Sequence, residues 1–195
     1  NRLRIFCDMT NRHRPGVFYF PRQMRVYFYT SSLEKLAQAK YVFERSGCKL
    51  EHYKSSTEPY DEDYSSTETL LRKAIAQIRG EFGRRGAFFV EDTSLRIEAL
   101  SDTKDFPGVA VKEWFSEISF WDMDRSLREK GNDRRATVKS DIALHLPTLE
   151  TPIFFHGETT GIVADTPPDF ALNPAYPWLT PKNFNGWFIP AGEGK

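Results

Sequence analysis

The amino-acid sequence predicts an α/β fold, because strand-like and helix-like segments alternate along its first half. An aromatic and β-branched stretch at 25–29 is typical of a strand, and the apolar residues of 33–45 recur at helical spacing. After a short strand-like segment at 49–53 and a second helical pattern at 66–79, the apolar run Phe88-Phe89-Val90 leads directly into two carboxylates. Such runs between turn signals are typical of central strands. We therefore expect function to be concentrated where this strand meets its acids.

Length and composition restrict the class of protein. The 195 residues favour one domain, and the 39% hydrophobic and 14% aromatic content is typical of a folded chain. Lysine plus arginine (27) balance aspartate plus glutamate (27), so no overall field attracts a polyanion such as duplex DNA. Cys7 and Cys48 form no C-x-x-C pair, which favours a reducing compartment. No apolar run approaches the roughly 20 residues that span a bilayer, so we expect a cytoplasmic protein without a membrane partner.

Residues 1–23 differ in composition from the rest of the chain. Five arginines accompany a single acid, Asp8, among several aromatic side chains. We interpret this segment as a basic and aromatic N-terminal extension that precedes a domain at 24–195. Basic residues among aromatics could hold single-stranded nucleic acid. A solvated leader, or sequence upstream of a start at Met24, explains the same composition, and we expect no nucleic-acid partner.

A polar turn joins the first strand to the first helix. Thr30-Ser31-Ser32 follows the strand, Ser32 can cap the helix that begins at Leu33, and Lys35 lies in its first turn. Backbone N–H groups at a helix N-terminus and the helix dipole both favour phosphate. Serine-capped turns are also common where nothing binds, so the motif alone fits both an anion site and an ordinary turn.

The second helix carries two charges of interest. It is expected from about Ser66 to Arg79, after an acidic and hydroxyl-rich loop at 55–67, and to end at Gly80. Glu68 lies near its N-terminus, and Lys73 follows five residues later on a different part of the helix surface. Each charge alone fits a solvated helix face.

Glu91 and Asp92 come directly after the apolar run of the predicted central strand. Acids at the end of such a strand are held on a rigid edge that faces a crevice. An ordinary strand end with solvated acids explains the local pattern equally well. The choice between these interpretations depends on the rest of the chain.

Further elements are expected in the second half: a turn at 105–109, helices at 111–119 and 121–130, strands at 134–144 and 153–157, a loop at 167–181, and an aromatic segment at 184–190. The segment 160–164 is either the hairpin partner of the strand at 153–157 or its continuation with a bulge.

Several motifs along the chain resemble, in the same order, the motifs of one protein family. Glu91-Asp92-Thr93-Ser94-Leu95 resembles the pattern E-D-T-G-L and is the most specific of them. Residues 30–36 resemble T-G-N-x-x-K-L, 68–74 resemble E-N-A-x-x-K-A, and 107–108 match P-G. Residues 134–138 resemble R-x-A-x-F, 155–162 resemble f-x-G-x-x-x-G-x-I, and 185–190 resemble D-P-I-F-x-P. Together they resemble the inosine triphosphate pyrophosphatase family over about Met24 to Lys195. Its members hydrolyse purine nucleoside triphosphates with altered bases.

The resemblance implies a fold, an activity and a set of site residues. The implied fold is an α/β domain with a long twisted mixed sheet flanked by helices, two lobes around a central cleft, and a homodimer. The implied activity is hydrolysis to monophosphate and pyrophosphate with Mg²⁺, Asp92 being the base. The implied metal ligands are Glu68, Glu91 and Asp92. Phosphate binding is implied for Thr30, Ser32, Lys35, Lys73 and Lys112, and base binding for Phe184 and Asn185.

This sequence departs from the family pattern at several of these positions. Ser32 replaces an asparagine of the phosphate loop, Ser94 a glycine, and Asn185 an aspartate beside the base pocket. The chain stops at Lys195, before the family's S-H-R motif that reads the purine. We therefore expect either that the C-terminal base-recognition segment is missing or that the purine pocket is built differently. An alternative function is a nucleotide-binding or regulatory module of the same fold that has lost efficient chemistry.

Overall fold

The structure is a computed structural model that describes residues 25–46, 48–54, 67–83 and 86–192. The predicted N-terminal extension at 1–23, residues 55–66 of the predicted acidic loop, and Gly194-Lys195 lie outside the described residues. Within the described ranges, no helix is both long enough and apolar enough to cross a membrane.

Helices and strands of the described residues follow one another in this order: β1 (Arg25–Tyr29), α1 (Leu33–Ser46), β2 (Lys49–Tyr53), α2 (Thr67–Phe82), β3 (Ala87–Ile97), a 3-10 helix (Glu98–Leu100), β4 (Pro107–Gly108), α3 (Val111–Glu117), α4 (Phe120–Glu129), β5 (Arg135–His145), β6 (Ile153–Val163), α5 (Phe184–Trp187) and β7 (Phe188–Pro190).

The strands form one seven-stranded sheet in the order β2-β1-β3-β5-β6-β7, with β4 paired to β3. Strand β1 runs parallel to both of its neighbours, β2 and β3. Strands β4 and β7 run antiparallel to β3 and β6. The sheet is therefore mixed, and the predicted α/β class with a mixed sheet flanked by helices is confirmed. Strand β3 has paired strands on both sides and is buried over residues 87–90, as its apolar run predicts.

The chain divides into two compact units. The first comprises Asn1–Asp92 and Asp141–His156, and the second comprises Thr93–Ser140 and Gly157–Lys195. The long strands β3, β5 and β6 each contribute residues to both units. The cleft that the family resemblance implies stays a prediction.

The first unit has an apolar core on each face of its sheet. On one face, α2 packs its buried stripe against Phe88 and Val90 of β3 and Ala143 of β5. On the other face, Leu36 of α1 packs in a cluster with Phe89 of β3. Successive strand residues point to opposite faces, so the run Phe88-Phe89-Val90 serves both cores. We call these the α2 face and the α1 face.

The second unit has a core rich in aromatic rings. Its buried cluster comprises Leu95, Ile97, Phe120, Met123, Leu127, Ala136, Val138, Val163, Ala164, Phe184, Trp187 and Phe188. The ring of Phe115 lies 5.1 Å from that of Trp187 and 5.2 Å from that of Phe184, in edge-on or tilted arrangements that aromatic pairs prefer. This packing explains why α3, α4 and α5, all short helices, are stable.

The predicted end of the second helix at Gly80 is wrong, because α2 continues to Phe82. Phe82 is 1% exposed and its ring lies about 5 Å from those of Tyr27, Tyr53 and Phe88. Burial of a phenylalanine side chain contributes about 2 kcal/mol or more, which exceeds the cost of about 1 kcal/mol for one glycine inside a helix. The helix ends instead at Gly83, whose φ is +63°.

Segments 153–157 and 160–164 are not the two arms of a hairpin. Residues 153–163 form one continuous strand, β6, which supports the predicted alternative of a continuation. Strand β6 pairs at its far end with β7, where Gly161 lies opposite Pro190. A Cβ atom on Gly161 would lie 2.2 Å from the carbonyl oxygen of Ile189, so the close approach of β7 requires glycine there.

Candidate functional site

The turn between β1 and α1 is held by its own hydroxyl groups. The backbone N–H of Ser32 donates to Oγ1 of Thr30 at 3.0 Å, and the N–H of Lys35 donates to Oγ of Ser32 at 3.2 Å. The carbonyl of Ser32 accepts the first helical bond, from the N–H of Leu36. Ser32 is therefore the N-cap, as its sequence position predicts. Thr30, Ser32 and the first turn of α1 form a compact backbone surface beside Lys35.

Lys35 forms an ion pair with Glu91. Its Nζ lies 2.9 Å from Oε2 of Glu91, and the two side chains are 30% and 12% exposed. Glu91 follows Phe89 on the α1 face, where Lys35 extends from the first turn of α1. The structure thus brings together a predicted phosphate-binding lysine and a predicted metal ligand.

Asp92 lies next to Glu91 but belongs to the other face. Strand alternation continues the series Phe88, Val90, Asp92 on the α2 face. Asp92 is half-buried. The adjacent acids therefore serve different sides of the sheet, and the packing of α1 and α2 identifies the helix that covers each side.

Glu68 and Lys73 lie on α2, on the surface of the first unit. Oε1 of Glu68 accepts from Nε and Nη2 of Arg72 at 2.9 and 2.7 Å. The side chain of Glu68 is 63% exposed, so its carboxylate is accessible to a ligand. Lys73 is also exposed and follows Arg72 directly.

Magnesium binding by Glu68, Glu91 and Asp92 stays a prediction. In the part of the chain that the structure describes, no group of three or more His, Cys, Asp or Glu side chains could hold a metal ion. Their carboxylate oxygens have the chemistry that Mg²⁺ prefers, and Mg²⁺ usually takes only one or two carboxylates together with substrate phosphates and waters. The donor set therefore fits a metal bound with its substrate better than a metal held by protein alone.

A pocket of about 240 Å³ opens beside Glu68. It is lined by Thr67, Glu68, Leu71, Asp141, Phe154, Phe155 and His156. Nδ1 of His156 lies 2.6 Å from Oδ1 of Asp141, and the Arg72 guanidinium lies 4.6 Å from the centre of the Phe154 ring. The Asp141–His156 pair was not predicted from the sequence. Its sequence signal is Asp141, an acid within the apolar alternation of β5.

A second histidine contacts the polar turn itself. Nε2 of His52, on β2, lies 2.9 Å from the carbonyl oxygen of Thr30. A carbonyl oxygen only accepts hydrogen bonds, so Nε2 of His52 carries the proton. The sequence pattern predicts a strand at His52 but gives no sign of its contact with the turn.

The remaining predicted residues belong to the second unit. Lys112 is exposed on α3. Phe184 is 8% exposed, and its ring stacks on that of Phe188 with centres 5.5 Å apart. Nδ2 of Asn185 donates to the carbonyl of Trp178 at 3.3 Å. The structure thus places Phe184 within an aromatic core, and base binding by Phe184 and Asn185 stays a prediction.

Comparisons with known proteins agree with this fold. The model of the Ham1 family matches residues 26–174. A nucleoside-triphosphatase, or dITP/XTP pyrophosphatase, from Mycobacterium abscessus has a similar structure, with a TM-score of 0.54 and 22% identity over 87% of this chain and 85% of that one. The Ham1 protein of Staphylococcus aureus is similar with a TM-score of 0.50 and 20% identity over 72% of each chain. No curated protein matches the chain.

Proposed function

This chain belongs to the Ham1 family, and from that premise we propose that it hydrolyses purine nucleoside triphosphates with altered bases, such as inosine and xanthosine triphosphate. The products would be the nucleoside monophosphate and pyrophosphate. The membership confirms the family resemblance in the sequence. A similarly folded protein of Mycobacterium abscessus is described as a dITP/XTP pyrophosphatase, which supports the same substrate class.

The observation that carries the proposal is the ion pair of Lys35 and Glu91 beside the Thr30–Ser32 turn. A triphosphate needs positive charge and N–H donors, and the capped turn, the N-terminus of α1 and Lys35 supply both at one place. The largely buried carboxylate of Glu91 holds the ammonium group near this turn. Lys73 and Lys112 would contact further phosphate oxygens.

Hydrolysis also requires a base for the attacking water. Asp92 is a carboxylate on a central, well-packed strand, and it would accept the proton as the water oxygen bonds to the α-phosphorus. The bond between the α-phosphorus and the bridging oxygen breaks at the same time, and pyrophosphate leaves with the bonding electrons. Asp92 would thus act from a rigid strand rather than from a loop.

Bound Mg²⁺ would neutralise phosphate charge and help to orient the water. Glu68 and Asp92 are the two predicted ligands on the α2 side of the sheet, and Glu91, on the α1 side, would be a ligand that also orients Lys35. Each is a carboxylate, which is the donor type that Mg²⁺ binds.

The direct test is an assay of the purified protein with Mg²⁺ and inosine, xanthosine, adenosine or guanosine triphosphate. We expect pyrophosphate release to be fastest with the first two substrates. Replacing Asp92 by Asn should lower kcat by at least about 100-fold, since general-base catalysis contributes about 10²–10⁴-fold, while nucleotide binding remains measurable. Absence of pyrophosphate release from all four would contradict the proposal.

Binding of these nucleotides without turnover would support the alternative of a nucleotide-binding module. Ser32 and Asn185, which depart from the family pattern, motivate that alternative. The homodimer implied by the resemblance and the cytoplasmic location expected from the composition belong to this proposal as well. Light scattering of the purified protein measures the first of them.

A further inference from the structure

We propose that His52 is a positioning residue for phosphate binding: it holds the Thr30 carbonyl so that the Ser31 N–H faces the phosphate chain of the substrate. The inference rests on the proposed function, because it assigns a role within the same phosphate-binding turn. It adds a residue that lies outside the family motifs of the sequence.

The location of His52 follows from the pairing of β1 and β2. In that parallel pair His52 lies opposite Phe28, and Tyr53 lies opposite Tyr29. Residues opposite each other share a face of the sheet, and Phe28 belongs to the α1 face. His52 therefore lies on the side of the sheet from which the Thr30–Ser32 turn enters α1. Its Nε2–H donates to the Thr30 carbonyl oxygen at 2.9 Å.

This hydrogen bond fixes the direction of a neighbouring donor. In a trans peptide the carbonyl of one residue and the N–H of the next point in opposite directions. The peptide bond between Thr30 and Ser31 is trans, since Phe106-Pro107 is the only cis bond among the described residues. When His52 holds the Thr30 oxygen, the Ser31 N–H must point away from His52. His52 thus fixes the direction of the Ser31 N–H through the peptide plane, without a hydrogen bond to that amide.

Two other amides of this turn already have side-chain acceptors. The Ser32 N–H is bound to Oγ1 of Thr30, and the Lys35 N–H to Oγ of Ser32. Among the described residues the structure gives no acceptor for the N–H of Ser31, an exposed residue. The Ser31 N–H is therefore a donor that this turn presents to an anion, beside the first N–H groups of α1. Fixing it before the substrate arrives lowers the ordering cost of binding.

Three variants test this role. His52→Leu removes the donor, and His52→Gln retains an Nε2–H donor near the same position. Glu51→Gln is the matched control, because Glu51 is the preceding residue of β2 and pairs with Lys49 at 2.7 Å. Loss of one hydrogen bond typically changes an equilibrium by about three- to tenfold. We expect His52→Leu to raise the KM for inosine triphosphate by about that factor and to change kcat less than about twofold.

His52→Gln should recover most of the loss, and Glu51→Gln should match the wild type. A purely structural role would instead lower kcat and the thermal midpoint together and would not be rescued by Gln. A wild-type KM in a folded His52→Leu variant overturns the inference, as does failure of Gln to rescue. A wild-type protein that neither binds nor hydrolyses a triphosphate overturns the proposed function instead.

A measurement independent of turnover uses inorganic triphosphate and the wild-type protein. We expect the Ser31 amide resonance to shift on addition of this probe, and the ¹⁵N spectrum of His52 to show a protonated Nε2. If inorganic triphosphate shifts the resonances of α1 but leaves that of Ser31 unchanged, the inference is wrong. This measurement decides the question even if His52→Leu does not fold.

Discussion

Nζ of Lys35 lies 2.9 Å from Oε2 of Glu91, and this contact joins the first turn of α1 to the central strand β3. The Glu91 side chain is only 12% exposed, so solvent screens the pair less than it would a surface pair. The same ammonium group would have to contact phosphate when a substrate binds. Lys35 would therefore contribute to stability through Glu91 and to the proposed activity through phosphate, and mutation can separate these two contributions.

Replacing Lys35 by Met should lower the free energy of unfolding by about 1–3 kcal/mol, because the largely buried carboxylate of Glu91 loses its ion pair with the Lys35 ammonium group. Replacing Glu91 by Gln in the same chain should restore part of that stability, since the carboxylate charge that Lys35 faced is removed. Activity should stay lost in the double variant, because phosphate still lacks the ammonium group. Urea unfolding and pyrophosphate release measure the two effects. Recovery of activity in the double variant would show that Lys35 acts only through Glu91.

A buried ion pair in the second unit gives a prediction that concerns stability alone. Asp124 binds Arg128 at 2.9 Å and also binds Arg134, and Asp124 and Arg134 are both buried. Hydrogen bonds from Arg128 and Arg134 lower the pKa of Asp124. Asp124 therefore stabilises the fold above about pH 4, and this contribution is lost as pH falls through its lowered pKa.

Asp124→Asn should destabilise the protein by about 3 kcal/mol, because Arg134 keeps its charge in a buried place. Arg128→Ala should cost less than about 1 kcal/mol, because the Arg128 side chain is 60% exposed. Urea unfolding at pH 7 compares the two variants. Similar losses in both would contradict the distinction between a buried and an exposed partner.

Much of the first unit could be predicted from local sequence. The strand of aromatic and β-branched residues, the Ser32 cap and the apolar stripe of α2 are each encoded by neighbouring residues, and the structure shows β1, α1, β2 and α2 where these patterns predict them. Gly80 misled the prediction because the burial of Phe82 depends on rings from distant strands.

The contacts of the candidate site could not be predicted in the same way. His52 and Thr30 are 22 residues apart, and Asp141 and His156 are 15 apart. These pairs meet only because of strand register and sheet order, which no local pattern specifies. Glu91 and Asp92 could be recognised from their motif, and strand alternation separates them by face, but which helix covers each face required the packing of α1 and α2.

His145 should make the stability of the protein depend on pH. It is 3% exposed, and its Nδ1 has no hydrogen-bond partner among the described residues. Burial, and then the positive charge of Arg79, lowers the pKa of His145 from 6.5. Below about pH 6.5 the unfolded chain therefore binds a proton that the folded chain excludes. The contribution of neutral His145 to stability is therefore complete above that pH and is lost as the pH is lowered.

Replacing His145 by Leu should reduce this dependence. Between pH 7.5 and pH 5, the wild type should lose more stability than His145→Leu, and the slope of that difference below pH 6.5 cannot exceed about 1.4 kcal/mol for each pH unit. All other ionisable groups are common to both proteins, so the difference between the two urea series isolates His145. Parallel series would show that His145 is protonated in the folded state.

Gly80 and Gly83 offer a test of why α2 ends where it does. A Cβ atom at either position would meet no atom within 4 Å, so neither glycine is required by space. Only Gly83 has a positive φ, of +63°, which disfavours any residue with a side chain. Gly80→Ala should stabilise the protein by about 0.5–1 kcal/mol, because alanine favours a helix interior and restricts the unfolded chain. Gly83→Ala should destabilise it by about 1 kcal/mol or more. Urea unfolding of the two variants measures the difference, and equal stabilisation by both would show that α2 can extend past residue 83 without strain.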